Sequence, residues 1–303
     1  MQVRPNDAWL RAGGARRAGS HAEDRAPRRA AGLARRVVHY SFVRVIYVYA
    51  ITRNAVTPDC EGIDMTHRFG AASIDGVSAV FTAVSDEAFS QDEIDRRAGD
   101  LEWIGAIGYR HQAVVQDVMK KTAIIPLRAF TLFSSEEALR SYLHENASML
   151  NKALDRLGGK QEWTLRVEID PQRWSETLVT RVDSLRALQN EIDTAPPGKA
   201  FLLRKKLDDE KKRASHAAEE ELVGEIERAV LDKLACETVA ETRERRDGAF
   251  PQINVLIERD EEAKLEELHA SLMDRYASEG VALALTGPWP PYTFAGASSL
   301  SRA

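Results

Sequence analysis

One stretch near the C-terminus limits what the chain can fold into more than any other: Thr286-Gly287-Pro288-Trp289-Pro290-Pro291-Tyr292-Thr293-Phe294. It comes directly after an apolar run, Val281-Ala282-Leu283-Ala284-Leu285, that reads as a buried strand. Prolines cannot donate to a sheet ladder, so the strand is expected to stop before Gly287. Polyproline II is the cheapest backbone beyond that point, and its three-residue period puts Trp289 and Tyr292 on one side. Gly287, Pro288, Trp289, Pro290, Pro291, Tyr292 and Phe294 are thus expected to form a stiff arm that presents aromatics. Two uses are open to it: latching onto another part of this chain, or docking a partner.

The preceding elements follow from periodicity. Residues 43–51 alternate as a strand, and strands over 69–74 and 77–84 are joined by Asp75-Gly76, a two-residue hairpin turn. Residues 92–121 are helical with Ile94, Leu101, Ile104 and Gly108 on one face, and Gly105 and Gly108 mark a break between two helices. Residues 123–133 read as one strand. Pro126 inside it implies an edge or bulge, and Arg128 is a structural candidate for burial with a partner. Ser134 with Glu137 suggests a capping box for a helix whose stripe is Leu139, Tyr142, Leu143, Ala147, Leu150, Leu154 and Leu157. Gly158-Gly159 ends it and is the expected domain boundary.

The second half reads as a strand over 163–169, a short helix to Asp193 and a Pro196-Pro197-Gly198 loop. A very long helix over 199–234 comes next, with i,i+4 pairs Asp208/Lys212 and Asp209/Arg213 and a stripe of Ala218, Leu222, Ile226, Val230 and Leu234. Strands near 237–242 and 253–257 flank a charged loop. A helix over 261–278 buries Leu265, Leu268, Leu272 and Tyr276, and Val281 opens the last strand. Strand, helix, strand, strand, helix, strand is a ferredoxin-like order. The expected class is α+β in two domains, residues 41–158 and 159–303, the second a modified ferredoxin-like fold with a long charged helix.

Charge separates the N-terminal stretch from the rest. Residues 1–40 hold nine Arg and three acidic residues, a net of +6 against −5 for the whole chain, which leaves −11 for the remainder. With little apolar periodicity, residues 1–40 are expected to be a disordered basic leader. They resemble a transit peptide, and also a start assigned too far upstream; the second reading is preferred because strand signal begins only after residue 40. The acidic remainder gives no electrostatic reason to bind nucleic acid. No stretch approaches the roughly 18 apolar residues of a membrane-spanning helix.

A search for chemistry finds little. There is no GxGxxG after a strand, Gly198-Lys199 lacks the following Ser or Thr of a phosphate loop, and no HxxxH pair puts two imidazoles on one helix face. His111 and His144 read as surface or boundary residues. Cys60 and Cys236 read as ordinary thiols that suit a reducing cytosol. Glu168 and Asp170 lie two apart on a strand and could divide acid and base roles only in unlike environments; a solvated strand end is the plainer reading. No catalytic, cofactor-binding or metal-ligating residue is assigned, and no cofactor is expected.

Four runs, Tyr47-Val48-Tyr49-Ala50-Ile51, Ala123-Ile124-Ile125-Pro126-Leu127-Arg128-Ala129-Phe130, Gly198-Lys199-Ala200-Phe201-Leu202-Leu203-Arg204-Lys205-Lys206 and Gly287 to Phe294, occur in that order. Together they resemble the gas vesicle GvpL/GvpF family over about residues 42–296. Residues 1–40 have no counterpart in the family pattern, and Ala129 stands where the family usually has Gly. The resemblance implies a cytoplasmic, non-enzymatic accessory protein of gas vesicle formation, with two α+β domains, that binds the small hydrophobic shell protein and other accessory proteins. An alternative is a small-molecule-binding or enzymatic α+β protein using a cleft between the two domains.

Overall fold

The computed structural model describes residues 44–296, apart from residues 66, 246 and 247. The expected leader, residues 1–40, lies outside the described residues. Two antiparallel sheets, each with packed helices, account for the cores.

The first sheet is built on β1 (Arg44–Thr52), whose last seven residues are all buried. A strand buried on both faces reads as a continuous apolar run, and Ile46 to Ile51 is one. The hairpin of β2 (Phe69–Ile74) and β3 (Val77–Ser85) packs β3 against β1. Its Asp75-Gly76 turn has φ of 49° and 79°, both in the left-handed region that a two-residue turn of this hand requires. A register shift between Val48 and Ala50 bends β1 and leaves Tyr47, Tyr49 and Ala50 on one face, with Ile46, Val48 and Ile51 on the other.

Short helices α1 (Asp86–Phe89) and α2 (Gln91–Arg96) lead into α3 (Leu101–Lys121), capped by the Asp100 carboxylate on the Trp103 N–H at 3.0 Å. The expected break at Gly105 and Gly108 does not occur; α3 runs through both. The interruption falls at residues 97–100 instead, where a capping aspartate follows Gly99. The buried face of α3 is Ile107, His111, Val114, Val115, Val118 and Met119, whereas Leu101 is 78% exposed.

The single strand expected over 123–133 is two fragments, β4 (Ile124–Pro126) and β5 (Leu132–Phe133), both paired with β1. β4 lies at the sheet edge in the order β2-β3-β1-β4, where Pro126 leaves no ladder bond unmade. Between the fragments the chain turns, with Phe130 at φ 66° and the Thr131 N–H donating to the Arg128 carbonyl at 3.2 Å. That turn throws the Arg128 side chain into solvent, so the expectation of a buried, paired Arg128 is corrected: its carbonyl, not its guanidinium, is used.

Helix α4 (Glu136–Leu157) covers the opposite face from α3 through Leu139, Leu143, Leu150, Leu154 and Leu157. Its cap is Ser135, one residue later than expected, with its hydroxyl 3.1 Å from the Ala138 N–H.

The second sheet has the order β7-β8-β6-β9. Strand β6 (Lys160–Ile169) is central; Asp170 then accepts from the Gln172 and Arg173 N–H groups to cap α5 (Pro171–Arg181). The single short helix expected before Asp193 is two, α5 and α6 (Asp183–Thr194), divided at Val182. Helix α7 (Pro197–Lys233) has 37 residues, about 55 Å at 1.5 Å per residue. Its second half buries Ala218, Leu222, Ile226 and Val230 on the sheet, the spacing the sequence shows. β7 (Glu237–Arg245) and β8 (Gly248–Glu258) run well past the expected bounds, so most of the expected charged loop is strand. α8 (Glu262–Tyr276) completes the helical layer, Gly280 at φ 79° reverses the chain, and β9 (Val281–Trp289) pairs with β6.

Candidate functional site

β9 does not stop before Gly287. It is an edge strand, bonded only to β6, so Pro288 falls where no second neighbour needs an N–H. Trp289 stands opposite Glu162 after a register shift between Glu162 and Thr164. Gly287 makes the shift sterically possible. Its φ is 148°, and a Cβ there would lie 2.7 Å from the Trp163 ring and 3.1 Å from the Glu162 carbonyl.

The expected polyproline II arm does not form. The Pro290 carbonyl accepts from the Tyr292 N–H at 2.7 Å and the Pro291 carbonyl from the Ala295 N–H at 2.9 Å, which folds residues 290–296 into turns. Trp289 and Tyr292 therefore do not share one side in the expected manner. Trp289 is 37% exposed, its indole N–H directed to the Thr286 hydroxyl at 3.4 Å. Pro290 and Pro291 are buried, Pro288 is exposed, and Tyr292 is half-buried.

The residues after Trp289 join the two sheets. The buried Glu162 carboxylate on β6 accepts from the Thr293 N–H at 2.9 Å and from its hydroxyl at 2.7 Å. The Tyr292 hydroxyl donates to Gln112 Oε1 on α3 at 3.1 Å, and burial raises its pKa. Arg156 on α4 donates to the Phe294 carbonyl and pairs with Glu237 on β7. Phe294 and Ala295 belong to the apolar cluster of Ile46, Val48, Leu139 and Leu143, and Leu256 of β8 belongs to it too. Gln112, Arg156 and Glu162 escape sequence reasoning because their partners in this segment are more than a hundred residues away. Glu162 alone leaves a trace, as the start of the Glu162, Thr164, Arg166, Glu168 alternation.

Beneath Tyr292 lies a polar knot inside an apolar face. His111 is 3% exposed, not a surface residue as expected. Its Nε2–H donates to the Leu127 carbonyl at 2.9 Å, which leaves Nδ1 to accept from the Tyr47 hydroxyl at 3.0 Å. Burial depresses the His111 pKa to about 4. The Tyr47 oxygen also accepts from the Phe130 N–H at 3.1 Å, so every polar atom of the knot is satisfied.

Outward from this knot, the first half of α3 exposes apolar side chains. Leu101, Gly105, Ala106 and Tyr109 are exposed within two turns, Leu101 and Tyr109 at 78% and 79%. A Cβ on Gly105 or Gly108 would meet nothing within 4 Å. The strip is apolar, its Ala106 and Tyr109 border a depression shared with Cys60 and Arg110, and Tyr109 lies one turn from the Gln112 that holds Tyr292.

The other candidates separate. Glu168 is engaged by Arg166 while Asp170 caps α5, so they share no site. His144 pairs with Asp75 on the hairpin turn. Burial raises the pKa of both Cys60 and Cys236, the latter to about 11, so neither is an activated thiol. Among the described residues, no group of three or more His, Cys, Asp or Glu is arranged to hold a metal ion. No helix among them is long and apolar enough to cross a membrane. A cleft of about 960 Å³ is lined by Arg166, Glu168, Trp174, Lys211, Lys212 and Phe250 among others, all from the C-terminal half.

The chain is 30% identical over 265 residues to gas vesicle protein L2 of Halobacterium salinarum, which covers 82% of this chain and 90% of that protein. It is 27% identical over 275 residues to gas vesicle protein L of a Streptomyces species, covering 84% and 93%. Its fold is similar to the crystal structure of gas vesicle protein GvpF from Anabaena, with a TM-score of 0.63 at 14% identity over 83% of this chain and 98% of that one. The family model described as gas vesicle synthesis protein GvpL/GvpF matches residues 45–296, and the chain belongs to that family.

Proposed function

We propose that this protein is a non-enzymatic, cytoplasmic accessory factor of gas vesicle formation that holds the hydrophobic shell protein, or its assembly intermediates, on the exposed strip of α3. The observation that carries the reading is the pairing of Leu101 and Tyr109, nearly fully exposed, with Gly105, which offers open space for close backbone approach. A highly apolar subunit aggregates unless its surface is covered, and an acidic carrier keeps the complex in solution. Family membership supports a gas vesicle role and makes other gas vesicle accessory proteins natural partners.

In this reading residues 41–158 and 159–303 are two domains, the second ferredoxin-like. The sheet order β7-β8-β6-β9, with helices of the second half packed on it, supports that assignment. The latch between them is Tyr292, Thr293 and Phe294, which together contact both sheets, while exposed Trp289 remains free for a partner. The test is a shell-protein pull-down with Leu101→Asp and Tyr109→Asp variants. Binding should fall at least about tenfold with an unchanged melting temperature, because neither side chain is buried. Undiminished capture by both variants excludes this face. The cleft beside Lys211 and Lys212 favours one other reading, a small-molecule site, which a ligand-induced rise in melting temperature would reveal.

A further inference from the structure

Helix α7 has an outward face along its whole length. Positions spaced by three or four residues, running from Leu202 through Arg213, Ala217, Glu220 and Gly224 to Leu231, fall on one stripe. The stripe lies opposite the buried Leu207, Ala218, Leu222, Ile226 and Val230. Leu202 and Leu231 near its two ends are 67% and 46% exposed, and a Cβ on Gly224 would meet nothing within 4 Å.

The charge along the helix is divided. Residues 197–213 carry seven Lys or Arg and three acidic residues, a net of +4; residues 215–233 carry six acidic residues and two Lys or Arg, a net of −4. A helix with opposite halves is complementary to itself only when a second copy lies antiparallel. With a two-fold axis between His216 and Ala217, Leu202 meets Leu231 of the second copy and Arg213 meets Glu220 of the second copy, each twice. The spacing places an alanine beside the axis and a glycine within the seam, where the helices must come closest. Within one chain Arg213 pairs with Glu210, at 3.2 Å on an exposed turn, an interaction worth little there.

We infer that the protein forms an isologous dimer through antiparallel pairing of α7, a contact independent of the shell-protein reading. Beyond the Leu202–Leu231 contact the seam rests on the opposite charges of Arg213 with Glu220 and Lys206 with Glu227, so the dimer is weak and salt-sensitive.

Sedimentation equilibrium of the full chain tests this. At roughly 50 mM salt the chain should dimerise, and raising salt to about 500 mM should weaken the dimer at least about tenfold. Arg213→Glu alone and Glu220→Arg alone should each be monomeric, because each puts like charges in register. An equimolar mixture of the two variants should dimerise again, since each supplies what the other lacks. A monomeric parent chain at low salt, a dimer indifferent to both reversals, or variants whose mixture stays monomeric would each overturn the inference. The salt series uses the unaltered chain, so it stands even if a variant fails to fold.

Discussion

The buried knot at His111 makes the fold sensitive to mild acid, by an amount that can be worked out. In the unfolded chain the imidazole has its ordinary value of about 6.5, whereas burial holds it near 4 in the folded protein. Between those values the unfolded state binds the extra proton, so stability rises with pH and is lost as pH falls through the window. A difference of about 2.5 units corresponds to roughly 3 kcal/mol, most of it gone by a pH near 4.5. Protonation also turns Nδ1 into a donor facing the Tyr47 hydroxyl, whose oxygen already accepts from Phe130. The measurement is urea unfolding at several pH values between 7 and 4.5, on the parent and on His111→Gln. Glutamine can accept from Tyr47 and donate to Leu127 but does not titrate, so its curve should lack the imidazole's share of the loss. Equal losses in the two proteins would refute the reasoning, since the destabilisation would then arise in the carboxylates.

Three further substitutions probe the C-terminal segment and its approach. Phe294→Ala should cost roughly 3–5 kcal/mol, the range for truncating a buried aromatic, while Trp289→Ala should cost less than about 1.5 kcal/mol because its ring is partly solvated. Urea midpoints measured on both variants check the ranking, and a larger loss at Trp289 contradicts it. Gly280→Ala should destabilise by more than about 1 kcal/mol, since φ is 79° and the new Cβ would sit 2.5 Å from the Arg173 Cβ. A thermal melt equal to the parent's would show that the backbone relaxes there freely.

The features legible in the sequence are those that depend on near neighbours. The Asp75-Gly76 hairpin, the α4 leucines and the four-residue stripe of Ala218, Leu222, Ile226 and Val230 are all local patterns, and each is where the sequence indicates. The errors share another cause. Whether prolines end a strand depends on how many neighbours need its N–H groups, and β9 has one. Whether glycines break a helix depends on what else α3 packs against, and the buried residues on its far side outweigh them. His111 reads as a surface residue because its two satisfying partners, Tyr47 and the Leu127 carbonyl, lie 64 and 16 residues away. Of the terminal motif, the residues are legible and the conformation is not: Tyr292 and Phe294 go inward while Trp289 remains outside.

The position of Phe294 and Ala295 also has a bearing on when this protein can finish folding. They complete the apolar cluster around Ile46 and Val48 of β1, the earliest of the described strands to leave the ribosome. About 250 residues separate them, which is roughly 10–50 s of synthesis at ordinary bacterial or eukaryotic rates. For that interval β1 and its neighbours lack their last packing partners, and the face between α4 and β8 stays open. Any apolar segment nearby, including one from another nascent chain, meets an unfinished core. Closure of the C-terminal segment is therefore a timing event: it removes the first sheet from the pool of sticky intermediates only once synthesis has passed Phe294.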